Sequence, residues 1–263
     1  MATATLLSHI RHGWNENINA ATYTITSASI NIAAGDYVVC LASVIGASTS
    51  TFPNVPVSSG AGPSWTGSLI TSVNASAVYN PVSGIWGVQA SGAATGITVS
   101  LTYNSVAGSG DQALDVMSIW KVTSYDTGTP VRGKAVTQAQ AGNGAVTVTC
   151  DGTAIAGDAW VAQCAVDENT TNKTSTFGTT GGTWTTDADG TASGKLLAYN
   201  VGHRTGATGT QADWSDVNTG TDNFGSTQAV LIVRDASGGG GGSAAFTSDI
   251  IPPYQAVIRA SSW

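Results

Sequence analysis

Ile32-Ala33-Ala34-Gly35-Asp36-Tyr37-Val38-Val39-Cys40-Leu41-Ala42-Ser43-Val44 is the stretch on which the fold turns. The chain repeats it as Ile155-Ala156-Gly157-Asp158-Ala159-Trp160-Val161-Ala162-Gln163-Cys164-Ala165-Val166. The Gly-Asp step reads as a turn, because Gly accepts a positive φ and Asp can close the turn with its carboxylate. The run after it is nearly continuously apolar, as expected of a central strand covered on both faces. Cys40 and Cys164 share strand parity after the turn, so both should face the same layer as small core residues.

Further echoes follow in the same order. Gly62-Pro63-Ser64-Trp65-Thr66 returns as Gly181-Gly182-Thr183-Trp184-Thr185, and Ala77-Val78-Tyr79-Asn80 as Leu197-Ala198-Tyr199-Asn200. Val116-Met117-Ser118-Ile119-Trp120-Lys121 returns as Ala229-Val230-Leu231-Ile232-Val233-Arg234. Ordered self-similarity of this kind marks a duplication. It predicts one domain over 1–130 and a second over 131–236, superposing Gly35 on Gly157, Trp65 on Trp184 and Met117 on Val230. Thr22 to Ile32, Val146 to Thr149 and Gly96 to Tyr103 alternate as half-buried strands do. The expected fold is all-β: two tandem antiparallel β-sandwiches, jelly-roll-like, of about a hundred residues each.

Composition supports this. Gly, Ser and Thr make up 97 of 263 residues, while Leu (nine), Lys (four) and Glu (two) are scarce, which argues against helical architectures. With 41% hydrophobic residues and only 10% charged, the chain does not read as disordered. The net charge is −7 and the basic residues are scattered, so no nucleic-acid footprint is expected. No apolar run reaches the ~20 residues that span a bilayer. The first twenty residues do not read as a signal peptide, and three cysteines (Cys40, Cys150, Cys164) are too few for a secreted disulfide scaffold. Synthesis in a reducing cytoplasm without export is expected. No charged residue or His lies between Asp36 and Asp111, a surface chemistry suited to packing against other subunits.

Chemical motifs are sparse. Gly128-Thr129-Pro130-Val131-Arg132-Gly133-Lys134 has a phosphate-loop outline, but Ala135 stands where Ser or Thr belongs, so an inter-domain turn is expected. Asp187-Ala188-Asp189-Gly190 begins like a calcium loop, yet Ala198 fills the twelfth position, and a surface turn is expected. His9 and His12 would need a distant third ligand to hold a metal. Asp213 and Asp216 could mimic a glycosidase pair, but with no Glu nearby they read as a solvated loop. No catalytic residue, metal or cofactor is expected.

Trp65 and Trp184 recur in the duplication and read as anchors of the fold. Trp14, Trp86 and Trp214 do not recur, and are candidates for stacking on a host-surface glycan or for interface packing. The chain then passes through a glycine-rich spacer (237–245), flexible by composition. Residues 246–263 follow, with Phe246, Ile250, Ile251, Tyr254, Val257, Ile258 and Trp263 as an apolar set around Pro252-Pro253. This segment reads as an arm that docks on a neighbouring subunit, with any strand pairing from Tyr254 onward.

The order of strand, Ala-Gly-Asp turn, apolar strand, Gly-x-x-Trp-Thr and terminal apolar strand resembles modules of bacteriophage structural proteins, especially minor tail, spike and head-decoration proteins. The small-residue composition and the step from Asp235-Ala236-Ser237 into glycines are similar to them too. The resemblance implies a β-sandwich or jelly-roll fold, symmetric assembly on the particle with copies of itself and other virion proteins, and in some members attachment to the host envelope. It implies no catalytic residues. The expected function is that of a non-enzymatic virion component, with a carbohydrate-binding module for the host surface as the alternative. Neither nucleic acid nor a membrane is an expected partner.

Overall fold

The computed structural model describes residues 1–12, 22–45, 52, 54–73, 82–103, 114–141, 144–168, 174–191, 197–217 and 224–237. All regular elements among them are strands. The first half holds β1 (Thr3–His12), β2 (Tyr23–Thr26), β3 (Ile30–Ile32), β4 (Tyr37–Ile45), β5 (Val57–Ser58), β6 (Leu69–Val73), β7 (Val82–Gln89), β8 (Ala94–Ile97), β9 (Val99–Tyr103) and β10 (Leu114–Thr123). The second holds β11 (Val131–Ala141), β12 (Gly144–Ala154), β13 (Ala159–Glu168), β14 (Thr174–Phe177), β15 (Thr185–Thr191), β16 (Leu197–Thr205), β17 (Gly209–Val217) and β18 (Phe224–Val233).

The two halves repeat one another strand for strand. A five-stranded antiparallel sheet of order β1-β10-β4-β7-β6 is matched by β11-β18-β13-β16-β15, and a three-stranded sheet β2-β9-β5 by β12-β17-β14. The short pair β3-β8 continues the outer layer of the first half. Taking β2–β3 and β8–β9 as one strand each, every half has eight strands in jelly-roll order. Strand one lies beside eight, eight beside three and three beside six, with the fifth on the edge.

Local chemistry explains the shared turn. Gly35 and Gly157 have φ of +85° and +107°. In each copy the following Asp accepts from the amide three residues back: Ala33 N–H to Asp36 Oδ2 at 2.8 Å, and Ile155 N–H to Asp158 Oδ2 at 3.0 Å. The Thr22–Ile32 alternation is interrupted, not continuous. Ser27 donates its amide to Val99 O and accepts the Val99 amide on its hydroxyl, which splits β2 from β3 and shifts the buried phase from Ile25 to Ile30. Gly96, at φ +67°, precedes the matching break between β8 and β9.

One of the expected superpositions is displaced. Cys40 pairs opposite Ile119, and its equivalent Ala162 pairs opposite Val230. Val230 therefore matches Ile119, and Met117 matches Gln228, two residues from the expected partner and on the same strand face. By the same register Tyr199 stands where Ser83 stands, and Tyr79 lies outside the described residues. Short apolar runs of period two look alike after a two-residue slip, so self-similarity alone does not fix their register.

The two sandwiches also pack on one another. Each five-stranded sheet packs one face on its own three-stranded layer and the other on the five-stranded sheet of its twin, giving four layers. Odd-numbered residues of β4 (Tyr37, Val39, Leu41, Ile45) join Ala159, Val161, Ala165, Leu231 and Val233 in one shared core. Val38, Cys40, Ala42 and Val44 turn outward into the first half's own core, and Trp160, Ala162, Cys164 and Val166 do the same in the second. All nine residues of β4 are buried. Double-sided coverage accounts for the apolar run after each Gly-Asp turn and for part of the charge-free stretch.

Most contacts across the shared core are reciprocal, although β6 meets β11 and β1 meets β13 without comparable counterparts. β4 meets β13; β4 meets β18 as β13 meets β10; β7 meets β18 as β16 meets β10; and β7 meets β11 as β16 meets β1. That is the pattern of an isologous dimer, here within one chain. A buried hydrogen-bond chain crosses it. Gln163 accepts from Ser118 Oγ (2.8 Å) and donates to Ser43 Oγ (2.9 Å); Ser43 bonds Ser83 (2.8 Å), and Ser83 bonds Thr227 (2.7 Å).

Candidate functional site

Of the tryptophans singled out for glycan contact, the two that are described, Trp86 and Trp214, do not form a platform. Trp86 is 1% exposed and Trp214 0%. Trp86 packs edge-on to Phe52, and Trp214 lies against Phe177 and Trp184. Neither ring offers a face to a sugar, because each points from its strand into an outer core. Trp14 lies outside the described residues, as do Phe246, Ile250, Ile251, Tyr254, Val257, Ile258 and Trp263. Trp65 and Trp184 are buried just before the edge strand of their own half, as anchors of the fold. The Trp65 indole donates to Ser58 Oγ at 2.8 Å.

Two charged motifs take a different form from the one expected. Asp187 to Gly190 is not a turn but part of edge strand β15, which bulges between Thr186 and Ala188. Asp213 lies in strand β17, not in a loop. It accepts the Thr180 amide (3.0 Å) and hydroxyl (2.9 Å), pinning the glycine-rich turn before Trp184. The Asp216 side chain lies outside the described residues. The Gly128–Lys134 stretch is the connection between the halves: Asp126 accepts the Gly128 and Thr129 amides, and Lys134 sits on β11 with Nζ 3.0 Å from Asp151.

Behind the Asp213 turn, Arg204 is 2% exposed, between Trp160 (3.9 Å to the ring centroid) and Trp184 (4.4 Å). It donates to Thr180 O (2.8 Å) and Gln211 O (2.6 Å). Burial pushes its pKa down to about 10, so it remains a cation at neutral pH. Cation–π contact and two carbonyls replace its lost hydration. This is a packed structural clamp.

One polar cluster lies at the rim of the seam between halves. His203 Nδ1 is 2.6 Å from Asp187 Oδ2, both partly buried, and the imidazole meets the Trp120 ring edge-on at 6.0 Å. Beside it, Tyr199 contacts His9 (6.3 Å between ring centroids) and Arg11 (5.7 Å). The His203–Asp187 pair was missed in the sequence because a bulge offsets the two strands. The three thiols are buried elsewhere and none is in a disulfide; burial pushes Cys40 far up and Cys150 to about 12. Among the described residues no group of three or more His, Cys, Asp or Glu side chains is arranged to hold a metal. The side chain of His12 lies outside the described residues. No helix among them is long and apolar enough to cross a membrane.

The feature that stands out as a contact surface is the lateral edge of the first half, where β5 and β6 end their sheets. Two adjoining clefts open there. One, of about 260 Å³, is lined by Val55 to Ser58 and Gly62 to Thr66; the other, of about 120 Å³, by Phe52, Asn54, Val55, Leu69, Ser72 and Trp86. Val57 is 62% exposed and Leu69 50%. The duplicate supplies the comparison: its edge strand β15 carries Asp187 and Asp189, the charged protection usual for open edges. β6 carries none. A scan against models of known protein families finds no match for the chain, and a search of curated proteins finds none.

Proposed function

We propose that this chain is a non-enzymatic structural component of a bacteriophage virion, of the tail, spike or head-decoration kind. In this reading it assembles symmetrically with copies of itself and with other virion proteins. One observation carries the reading: among the described residues, a doubly covered body leaves one neutral apolar sheet edge open while guarding the equivalent edge with carboxylates. Exposed apolar surface of that kind marks interaction sites. The carboxylates of Asp36, Asp126, Asp158 and Asp213 are each bonded to backbone amides, which supports a scaffold over a catalyst.

Labelling the chain on intact particles by microscopy tests this directly, and its absence from particles would end the proposal. Deleting residues 238–263 is expected to leave the melting transition of the body unchanged while abolishing incorporation. A truncated chain that incorporates normally would remove the arm from the assembly role.

A further inference from the structure

We propose that the open β5–β6 edge of the first half receives residues 246–258 of a second copy of this chain; the inference rests on the assembly reading above. The edge and the segment match in chemistry. Val57 and Leu69, with Met1, are the large hydrophobic side chains exposed among the described residues, and both border clefts that share Val55. Among the described residues, apart from the N-terminal Met, the exposed large apolar groups are therefore gathered on one edge.

The cleft walls carry no charge, since none lies between Asp36 and Asp111, and residues 250–258 carry none either. Burial of residues 250–258 on the clefts desolvates no ion, and Asp249 lies before them. Strand β6 pairs only with β7 among the described residues and is five residues long. Tyr254-Gln255-Ala256-Val257-Ile258 is a run of five residues without proline, each with a backbone N–H, directly after the proline pair. Strand addition would supply main-chain hydrogen bonds, while Ile258 brings a side chain to Leu69 and the cleft beside it.

Where the described chain ends points to a second copy. The Ala236 amide bonds Ser124 O just beyond β10. Val122 of β10 is opposite Tyr37, and Tyr37 is opposite Gln89. The chain therefore leaves the body level with the Leu69 end of β6. Running along β6 from there, it would lie parallel in its own molecule. A second copy can approach in the antiparallel direction, the slightly better-bonded pairing.

The test uses the full-length chain. Leu69→Cys in one copy and Ile258→Cys, its opposite number in antiparallel pairing, in a differently tagged copy are mixed under mild oxidation. The native thiols, buried and with raised pKa at Cys40 and Cys150, do not compete. A disulfide between the two tagged copies is expected, and adding Val57→Asp to the Leu69→Cys copy should cut its yield about tenfold. Val57 is exposed, so this change spares the fold, which a melting curve verifies. A chain carrying both substitutions that forms only an intrachain disulfide, whatever its concentration, would overturn the second-copy assignment. No disulfide in either format would overturn the edge as receptor. Particle labelling remains a separate readout, so the edge assignment can fail while the virion reading stands.

Discussion

Asp36 and Asp158 close the same turn but are held differently. Asp36 accepts one local amide, whereas Asp158 is fully buried, accepts the Ile155 and Asp235 amides and pairs with Arg132. Asp36→Ala should therefore cost about 1.5–3 kcal/mol, and Asp158→Ala about 3–5 kcal/mol because the guanidinium is left unpaired. Chemical denaturation of the two variants measures the difference. Glycines separate in the same manner. A Cβ on Gly35 meets nothing within 4 Å, so Gly35→Ala costs only the left-handed φ, about 1–2 kcal/mol. A Cβ on Gly152 would stand 1.9 Å from Arg132 O, where β11 and β12 cross. Gly152→Ala should displace backbone and cost as much as the upper end of the ~1–3 kcal/mol range for overpacking. Asp126 gives a pH signature. The Thr129 amide and hydroxyl and the Gly128 amide hold its carboxyl below the ordinary value, against the opposing effect of burial, and Arg234 adds to the lowering. Its contribution is present above the unfolded carboxylate pKa and is lost as pH falls through the lower folded value. The difference in melting temperature between wild type and Asp126→Asn should thus shrink between about pH 6 and pH 2.

Strands β4 and β13 show what was legible in the sequence and what was not. The Gly-Asp turn, the strand after it, its two covered faces and the parity of Cys40 and Cys164 follow from residue type and period two. What covers the second face does not, because an apolar face looks the same whether it meets a neighbouring subunit or the other half of its own chain. Trp86 and Trp214 were ambiguous for a related reason: lacking a duplicate, they could have pointed either way from their strands. Asp187–Gly190 reads as a turn by composition, and only its pairing with β16 makes it a strand. The seam also hides polar residues that sequence gives no reason to link. Gln163 stands where the first half has Leu41, and it joins Ser118 to Ser43 across the two sheets. Gln163→Leu removes the acceptor of Ser118 Oγ and a donor to Ser43 Oγ, leaving Ser43 its bond to Ser83 and Ser118 the one it accepts from Trp120 Nε1. A loss of about 1–3 kcal/mol is expected by denaturant titration, with the amides of β4 and β13 exchanging faster.

For the whole molecule, a shared core means that neither half has a complete surface of its own. Heat should unfold the chain in one transition, with calorimetric and van't Hoff enthalpies equal; two resolved transitions would contradict the four-layer packing. Residues 1–126 expressed alone would expose the seam face of β4, β7 and β10, and should be recovered as a dimer or not at all in solution. A soluble monomer would show that the seam is dispensable. The His203–Asp187 rim and the apolar rim around Leu69 sit on equivalent edge strands of the two halves. In a true two-fold pair those rims would be identical by symmetry, and any change to one would be copied to the other. Fusing the pair into one chain removes that constraint, and here the two rims have become unlike. The molecule consequently has a front and a back. A row built from it by edge contacts can be extended in one sense only, so it has distinguishable ends and a direction of growth.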